Sequence, residues 1–121
     1  MAPPRRILVV DDEADTRAVL ATALEMEGYA VSVAAGGADA LASVAAAAPD
    51  LIVLDLQLPG LSGPDVAEAL KQGGVVVPIL ALSAVPDAGA AAEEIGAAGW
   101  IAKPFDVTDL VERVARLCPP A

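Results

Sequence analysis

Asp55 stands directly after a continuous apolar run, residues 51–54, near the centre of the chain. Pro49 precedes this run and Pro59-Gly60 follows it, so turn residues bound it on both sides. Such a run is typical of a strand that is buried on both faces of a parallel sheet, which puts Asp55 at the strand's carboxyl end. An isolated aspartate in this position fits a helix cap or a turn. A chemical role for Asp55 therefore depends on its polar neighbours, because an unpaired buried charge is costly.

Polar side chains occupy the same position after three other apolar runs. Asp11 and Asp12 follow the first run of the chain, Ser83 closes a later run, and Lys103 follows the last one. In an open α/β sheet the ligand crevice lies outside the carboxyl ends of the strands. We therefore expect these four side chains to meet Asp55 at one edge of the sheet.

The residue types at this edge indicate a particular chemistry. Three neighbouring carboxylates repel one another, which raises their pKa values or requires a cation. The chain has no histidine and a single cysteine, Cys118, so the ligands would be oxygen atoms, which suit Mg²⁺ or a similar hard cation. Lys103 can hold an anionic group, and the Ser83 hydroxyl with the Ala84 N–H can bind phosphoryl oxygens. Together these groups meet the requirements of phosphoryl transfer onto a carboxylate.

Alternating strands and helices must position these side chains. Apolar runs and alternation predict strands at residues 7–10, 30–34, 51–54, 75–82 and 100–102. Helical spacing of apolar residues predicts helices at residues 13–27, 38–48, 65–72, 87–98 and 106–117. Pro78 is expected near the start of the fourth strand, where a missing N–H matters least. Five strand–helix alternations predict an α/β fold, a doubly wound five-stranded parallel sheet flanked by five helices.

Composition limits the remaining function classes. The chain has 121 residues, 56% of them hydrophobic, and we expect a single domain over residues 1–121. A formal charge of -10 argues against direct binding to nucleic acid or to anionic membranes. Without histidine, Ser-His and Cys-His nucleophile systems are excluded. No apolar stretch is long enough to cross a bilayer and no internal disulfide can form, so a cytoplasmic location is expected.

Four segments of the chain resemble the receiver domain of two-component response regulators, the CheY-like family. They are Val-Val-Asp-Asp (9–12), Asp-Leu-Gln-Leu-Pro-Gly (55–60), Pro-Ile-Leu-Ala-Leu-Ser-Ala (78–84) and Trp-Ile-Ala-Lys-Pro-Phe (100–105). Each is weak alone, but all four occur in order and each lies at a predicted strand end. The resemblance covers residues 6–117 and implies the flavodoxin-like strand order 2-1-3-4-5.

The resemblance implies that Asp55 is the phosphoacceptor and that Ser83 and Lys103 contact the phosphoryl group. It also implies a cis peptide bond between Lys103 and Pro104. The donor would be a phosphohistidine of a sensor histidine kinase or of a histidine phosphotransfer protein. The domain would then catalyse only its own Mg²⁺-dependent phosphorylation and slow hydrolysis, so it is not an enzyme with a free product.

The same resemblance implies a Mg²⁺ site. Asp12 and Asp55 would bind the ion together with the backbone carbonyl of Gln57, and Asp11 would help directly or through a water molecule.

Trp100 stands where the family has a switching aromatic side chain, usually Tyr or Phe. In the family's scheme Ser83 moves toward the phosphate, and the aromatic side chain turns inward. The face formed by the fourth helix, the fifth strand and the fifth helix then changes its contacts with a downstream protein target. The segment between Ser83 and Trp100 is rich in Gly and Ala, which departs from a firmly specified fourth helix.

The sequence fits several other functions less well. A phosphatase of the haloacid dehalogenase type needs a second aspartate two residues after the nucleophile, where this chain has Gln57. A dinucleotide binder needs a Gly-x-Gly-x-x-Gly motif after the first strand, where Asp11-Asp12 stands instead. A degenerate receiver that binds partners without phosphorylation is the alternative, although the intact acidic set speaks against it. No output domain follows Leu117, so we expect either a stand-alone receiver or a fragment of a larger regulator or hybrid kinase.

Overall fold

A computed structural model describes residues 2–85 and 88–121 and contains one parallel sheet of five strands. The strand order is β2-β1-β3-β4-β5, which confirms the predicted doubly wound α/β fold. The elements in chain order are β1 (Arg6–Val10), α1 (Ala14–Met26), β2 (Ala30–Ala34), α2 (Gly37–Ala46), β3 (Leu51–Asp55), α3 (Gly63–Gln72), β4 (Ile79–Ser83), α4 (Ala88–Glu94), β5 (Gly99–Ala102) and α5 (Val107–Leu117).

Helices cover both faces of the sheet because the strands bury side chains on both sides. In β1, Leu8 and Val10 join an apolar cluster on one face, and Ile7 and Val9 join a second cluster on the other face. This is the two-residue period of a strand applied to an uninterrupted apolar run. Helices α2, α3 and α4 contribute to the first cluster, and α1 and α5 contribute to the second.

Helices α1 and α5 attach to the sheet through residues spaced one helical turn apart. Leu20 and Leu24 of α1 and Leu110 and Val114 of α5 are all fully buried in the second cluster. The amide of Thr108 donates to the side chain of Asp106, which therefore caps the start of α5. Within the described residues, 2–85 and 88–121, no helix has the length and apolar character needed to cross a membrane.

The predicted fourth strand, residues 75–82, begins too early. Residues 75–77 are apolar, but β4 begins only at Ile79, and Val76 is 97% exposed. Because β4 pairs with both β3 and β5, every residue inside it needs a backbone N–H for one of the two ladders. Pro78 lacks this group, and only its carbonyl takes part, by accepting from the amide of Ile52. Pro78 therefore precedes the strand and does not lie within it.

Two predicted helix boundaries were also wrong. The second helix ends at Ala46, and Ala48, which was expected on its inner face, is exposed beyond the helix end. Pro49 explains this early end, because the residue before a proline avoids helical backbone angles. The fourth helix was expected over residues 87–98 and ends at Glu94 in the structure, while its predicted first residue, Asp87, lies outside the described residues.

Gly63, the first residue of α3, lies against the carboxyl end of β3. A methyl group at this position would lie 2.6 Å from the carbonyl oxygen of Asp55 and 2.6 Å from the Cα atom of Leu56. We therefore expect Gly63→Ala to lower the free energy of unfolding by about 2 kcal/mol, because backbone atoms must shift to admit the methyl group. Urea unfolding would measure this loss. Gly73→Ala at the other end of α3 is the control, since its methyl group has ordinary contacts of 3.4 Å or more.

Candidate functional site

The carboxyl ends of β1, β3, β4 and β5 bring the predicted site residues together at one edge of the sheet. Asp55 is the last residue of β3 and lies opposite Leu82, and Ser83 is the last residue of β4 and lies opposite Ala102. Asp11 follows β1 directly, and Lys103 follows β5 directly. Asp11, Asp55 and Ser83 are buried, with 0%, 2% and 0% of the whole residue exposed. Polar groups buried at an edge where strands end are candidates for chemistry.

Three carboxylates form the acidic part of this site. One carboxylate oxygen from each of Asp11, Asp12 and Asp55 lies within 4.8 Å of the other two. Asp12 is exposed, so the cluster opens to solvent on that side. Oxygen atoms at this spacing are the donor set that Mg²⁺ prefers. The residues present thus fit a hard divalent cation, as the sequence predicted for Asp11, Asp12 and Asp55.

The side chain of Lys103 joins two of these carboxylates. Its Nζ atom donates to Asp11 Oδ2 at 2.8 Å and to Asp55 Oδ2 at 3.1 Å. Glu13, which sequence reasoning missed, brings a third carboxylate oxygen to 3.9 Å from the same atom. The Lys103 amide donates to the carbonyl of Ser83 at 2.8 Å, which fixes the start of the loop after β5. The Lys103-Pro104 peptide bond is cis, as predicted.

Burial and charge act in opposite directions on the protonation of this pair. Burial raises the pKa of Asp55 above its ordinary value, and it outweighs the hydrogen bonds from the Gln57 amide and from Lys103. Keeping Asp55 ionised in this buried position therefore costs free energy, and a nearby cation would reduce that cost. Burial also works against the charge of Lys103. The hydrogen bonds and charges of Asp11 and Asp55 more than offset this, so the pKa of Lys103 is raised and its ammonium is retained.

The side chain of Gln57 crosses the site, which the sequence did not predict. Its Oε1 atom accepts from the amide of Ala84 at 2.9 Å and from Ser83 Oγ at 3.2 Å, and its Nε2 atom donates to Ser83 Oγ at 3.0 Å. The sequence pointed to Gln57 only through its backbone carbonyl, and the metal-binding role of that carbonyl stays a prediction. Spacing along the chain carries no information on this side-chain conformation, so no sequence signal could have found the contact.

Trp100 lies apart from the other predicted site residues, on the outer surface of β5. Its side chain is 43% exposed and packs beside Gly89 of α4. A methyl group at Gly89 would lie 3.4 Å from three atoms of the indole ring, an ordinary van der Waals distance, so the ring packs directly over this part of α4. The carbonyl of Trp100 accepts from Arg113 Nη1 of α5 at 2.8 Å, which ties β5 to that helix. The predicted switching role of Trp100 stays a prediction.

A groove of about 540 Å³ runs beside the acidic site, between α1 and the loop that follows β5. Val19 and Leu20 of α1 line one side, and Pro104 and Phe105 line the other. Lys103, which donates to Asp55, also lines the groove, so the groove borders the acidic site. A partner that docks in it would bring its own groups next to the acidic site.

Comparison with known proteins supports the same interpretation. Residues 7–115 match the family model described as the response regulator receiver domain. The chain is 42% identical to the alkaline phosphatase synthesis transcriptional regulatory protein SphR of Synechococcus elongatus, over 96% of this chain and 49% of that protein. It is also 42% identical to the transcriptional regulatory protein PrrA of Mycobacterium tuberculosis, over 93% of this chain and 49% of that protein. The chain thus spans about half the length of these curated relatives.

Solved structures agree with this family match. The chemotaxis protein CheY4 of Vibrio cholerae superposes with a TM-score of 0.86 at 31% identity, covering 93% of this chain and 98% of that chain. The receiver domain of NtrX from Brucella abortus superposes with a TM-score of 0.83 at 34% identity, covering 92% of this chain and 96% of that chain.

Proposed function

The chain belongs to the response regulator receiver domain family, and on that premise we propose that Asp55 accepts a phosphoryl group and that this changes the domain's contacts with other proteins. The observation that carries the proposal is the contact between Lys103 Nζ and Asp55 Oδ2, 3.1 Å long, at a sheet edge that also holds Ser83. A buried carboxylate beside a retained ammonium and a hydroxyl matches the requirements of phosphoryl transfer to an aspartate. Residues 1–121 would act as one receiver domain.

In the proposed transfer, a carboxylate oxygen of Asp55 attacks the phosphorus atom of a phosphohistidine on the partner protein. The new O–P bond forms as the P–N bond breaks, and the imidazole leaves with the electron pair and takes up a proton from solvent. Lys103, the Ser83 hydroxyl and the Ala84 N–H would bind the phosphoryl oxygens. The product is an acyl phosphate on Asp55, whose slow hydrolysis would restore the carboxylate. That hydrolysis would release inorganic phosphate, so the chain would act only on its own phosphoryl group and not on a separate substrate.

Asp12, Asp55 and the backbone carbonyl of Gln57 would hold a Mg²⁺ ion, with Asp11 helping directly or through a water molecule. The three neighbouring carboxylate oxygens support this assignment. When bound, the ion would supply positive charge to balance the phosphoryl oxygens and the acidic residues.

A sensor histidine kinase or a histidine phosphotransfer protein is the proposed partner, because the chain has no histidine from which it could transfer a phosphoryl group itself. The groove beside Lys103 is the proposed docking position. A downstream protein would bind the face formed by α4, β5 and α5, where Trp100 is exposed.

The charge of -10 argues against direct nucleic-acid binding by this segment. The matched relatives include proteins named as transcriptional regulators, so the whole protein is proposed to act on transcription.

Removal of Mg²⁺ tests the proposed chemistry. With a small acyl phosphate and Mg²⁺, the chain should gain the mass of one phosphoryl group. A chelator should slow this reaction at least about a hundredfold, because a bound cation contributes several kcal/mol of charge stabilisation. Asp12→Asn should need a much higher Mg²⁺ concentration for the same rate, and Asp15→Asn should not, since Asp15 lies outside the acidic cluster. Intact-mass spectrometry over a time course measures all four conditions.

Absence of any adduct, with and without Mg²⁺ and with hydrolysis prevented by rapid quenching, would contradict this proposal. It would favour the degenerate receiver, which binds partners without being phosphorylated. If the adduct forms equally fast in the presence of chelator, Asp55 can still be the acceptor, but Mg²⁺ has no part in the mechanism.

A further inference from the structure

The side chain of Gln57 occupies the two donors that a phosphoryl group on Asp55 would need. The Ala84 N–H and the Ser83 hydroxyl both donate to Gln57 Oε1, at 2.9 and 3.2 Å. Each of these donors has one hydrogen to give, so an oxygen of Gln57 and an oxygen of a phosphoryl group compete for it. The backbone of Gln57 is tied to Asp55 as well, because its amide donates to Asp55 Oδ1 at 2.9 Å.

The contact with Ala84 settles which end of the amide faces the site. A backbone N–H can only donate, so the Gln57 atom that meets it must be the carbonyl oxygen. The Nε2 atom then donates to Ser83 Oγ at 3.0 Å, so both polar atoms of the Gln57 amide contact this hydroxyl. The amide oxygen of Gln57 thus lies where the donors of the two residues converge. It stands in for a phosphoryl oxygen before phosphorylation.

We propose that the Gln57 side chain is a gate that closes the phosphoryl-binding position of the unphosphorylated domain and must leave it before Asp55 is phosphorylated. The inference rests on the proposed function of Asp55. Gln57 is exposed to solvent, so water can replace its hydrogen bonds and the gate opens without disturbing the core. Its contacts also link the loop after β3 to the end of β4, so opening the gate releases Ser83 and Ala84 together.

Removal of the amide should speed phosphorylation. Gln57→Ala retains the backbone contact with Asp55 but removes the competing acceptor. We expect its phosphorylation by a small acyl phosphate with Mg²⁺ to be about fivefold faster than wild type, because the two hydrogen bonds to Gln57 Oε1 no longer need to be broken. Gln57→Met has a side chain of similar length without hydrogen-bonding groups, and it should be accelerated by a similar factor. Gln72→Ala is the control, because the Gln72 amide donates to Glu68 on α3 and its loss should leave the rate unchanged.

Two further measurements separate a gate from a structural role. Hydrogen exchange of the Ala84 amide should be faster in Gln57→Ala than in wild type before any phosphoryl donor is added, while the thermal midpoint stays unchanged. In a Ser83→Ala background, Gln57→Ala should accelerate phosphorylation less than it does in wild type, since one of the two contested donors is already missing.

The outcomes distinguish the gate from the phosphoryl transfer itself. Equal rates in wild type, Gln57→Ala and Gln57→Met, with adducts formed in all three, would overturn the gate and leave Asp55 as the acceptor. Acceleration in Gln57→Ala without acceleration in Gln57→Met would also overturn it, because the side chain would then act by bulk and not by its hydrogen bonds. No adduct in any of the chains would overturn the proposed function, and the gate with it.

Discussion

Asp55→Asn should take up no phosphoryl group from a small acyl phosphate under conditions in which the wild-type chain is fully modified. The asparagine amide retains the size and position of the side chain at the end of β3 but has no anionic oxygen to attack phosphorus. The neighbouring groups remain in place, since Lys103 retains its bond to Asp11 Oδ2 at 2.8 Å. We expect the initial rate to fall below detection, which intact-mass spectrometry of acid-quenched samples would measure.

The same variant should be at least as stable as wild type at neutral pH. Burial raises the folded-state pKa of Asp55 above its ordinary value of 3.8. Protonation of Asp55 therefore favours the folded state, and this contribution to stability is complete at pH values below 3.8. That contribution is lost as the pH rises through the raised folded-state value. At pH 7 the ionised side chain therefore opposes folding, and the neutral amide does not. The thermal midpoint of Asp55→Asn should exceed that of wild type at pH 7, and the difference should shrink on acidification.

A second aspartate provides the matched control for the chemistry. Asp65→Asn, in the first turn of α3, removes the same charge but lies outside the acidic cluster. It should accept a phosphoryl group at the wild-type rate. If Asp55→Asn is phosphorylated at a rate near that of wild type, another residue is the acceptor and the role assigned to Asp55 is wrong.

Lys103→Met should be both less stable and much slower. Without the ammonium, the carboxylates of Asp11 and Asp55 are left buried and unpaired, with side-chain exposures of 0% and 3%. Loss of one partner of a buried ion pair costs about 3 kcal/mol, which corresponds to a fall in thermal midpoint of about 10 °C for a domain of this size. Loss of a charged group that holds the transferred phosphoryl should also lower the phosphorylation rate about a hundredfold.

Two controls separate these effects of Lys103→Met. Lys71→Met removes the same charge from α3, away from the acidic cluster, and should change neither stability nor rate measurably. Addition of Mg²⁺ should return part of the lost stability to Lys103→Met, because a cation can again balance the acidic residues. A midpoint within about 2 °C of wild type would show that the two carboxylates do not depend on Lys103.

Most of the fold could be predicted from the sequence because the strands are uninterrupted apolar runs. Residues 51–54 are buried on both faces of the sheet, so their pattern has only one good solution in a parallel α/β fold. The fourth strand was misjudged at its start, since residues 75–77 have the composition of a strand but precede Pro78. An apolar composition does not by itself place residues in a strand, because the strand's start depends on which backbone N–H groups can pair.

The residues of the candidate site could be predicted where they lie at strand ends. Asp11, Asp55, Ser83 and Lys103 meet because each closes or follows a strand, and strand ends can be located from the sequence. The Gln57 amide could not be placed in the same way, because its conformation depends on a contact across the site with Ser83. Long flexible side chains choose among several rotamers, and only the tertiary structure decides between them.

The residue that carries the phosphoryl group is the most direct test of the central claim. The wild-type chain would be modified with a small acyl phosphate and Mg²⁺, quenched in acid, digested and mapped by tandem mass spectrometry. We predict the phosphoryl group on the peptide that contains Asp55, and on the Asp55 side chain within it. A phosphoryl group on Asp11, Asp12 or Ser83, the other candidate acceptors at this edge of the sheet, would contradict the assignment of Asp55 as the phosphoacceptor.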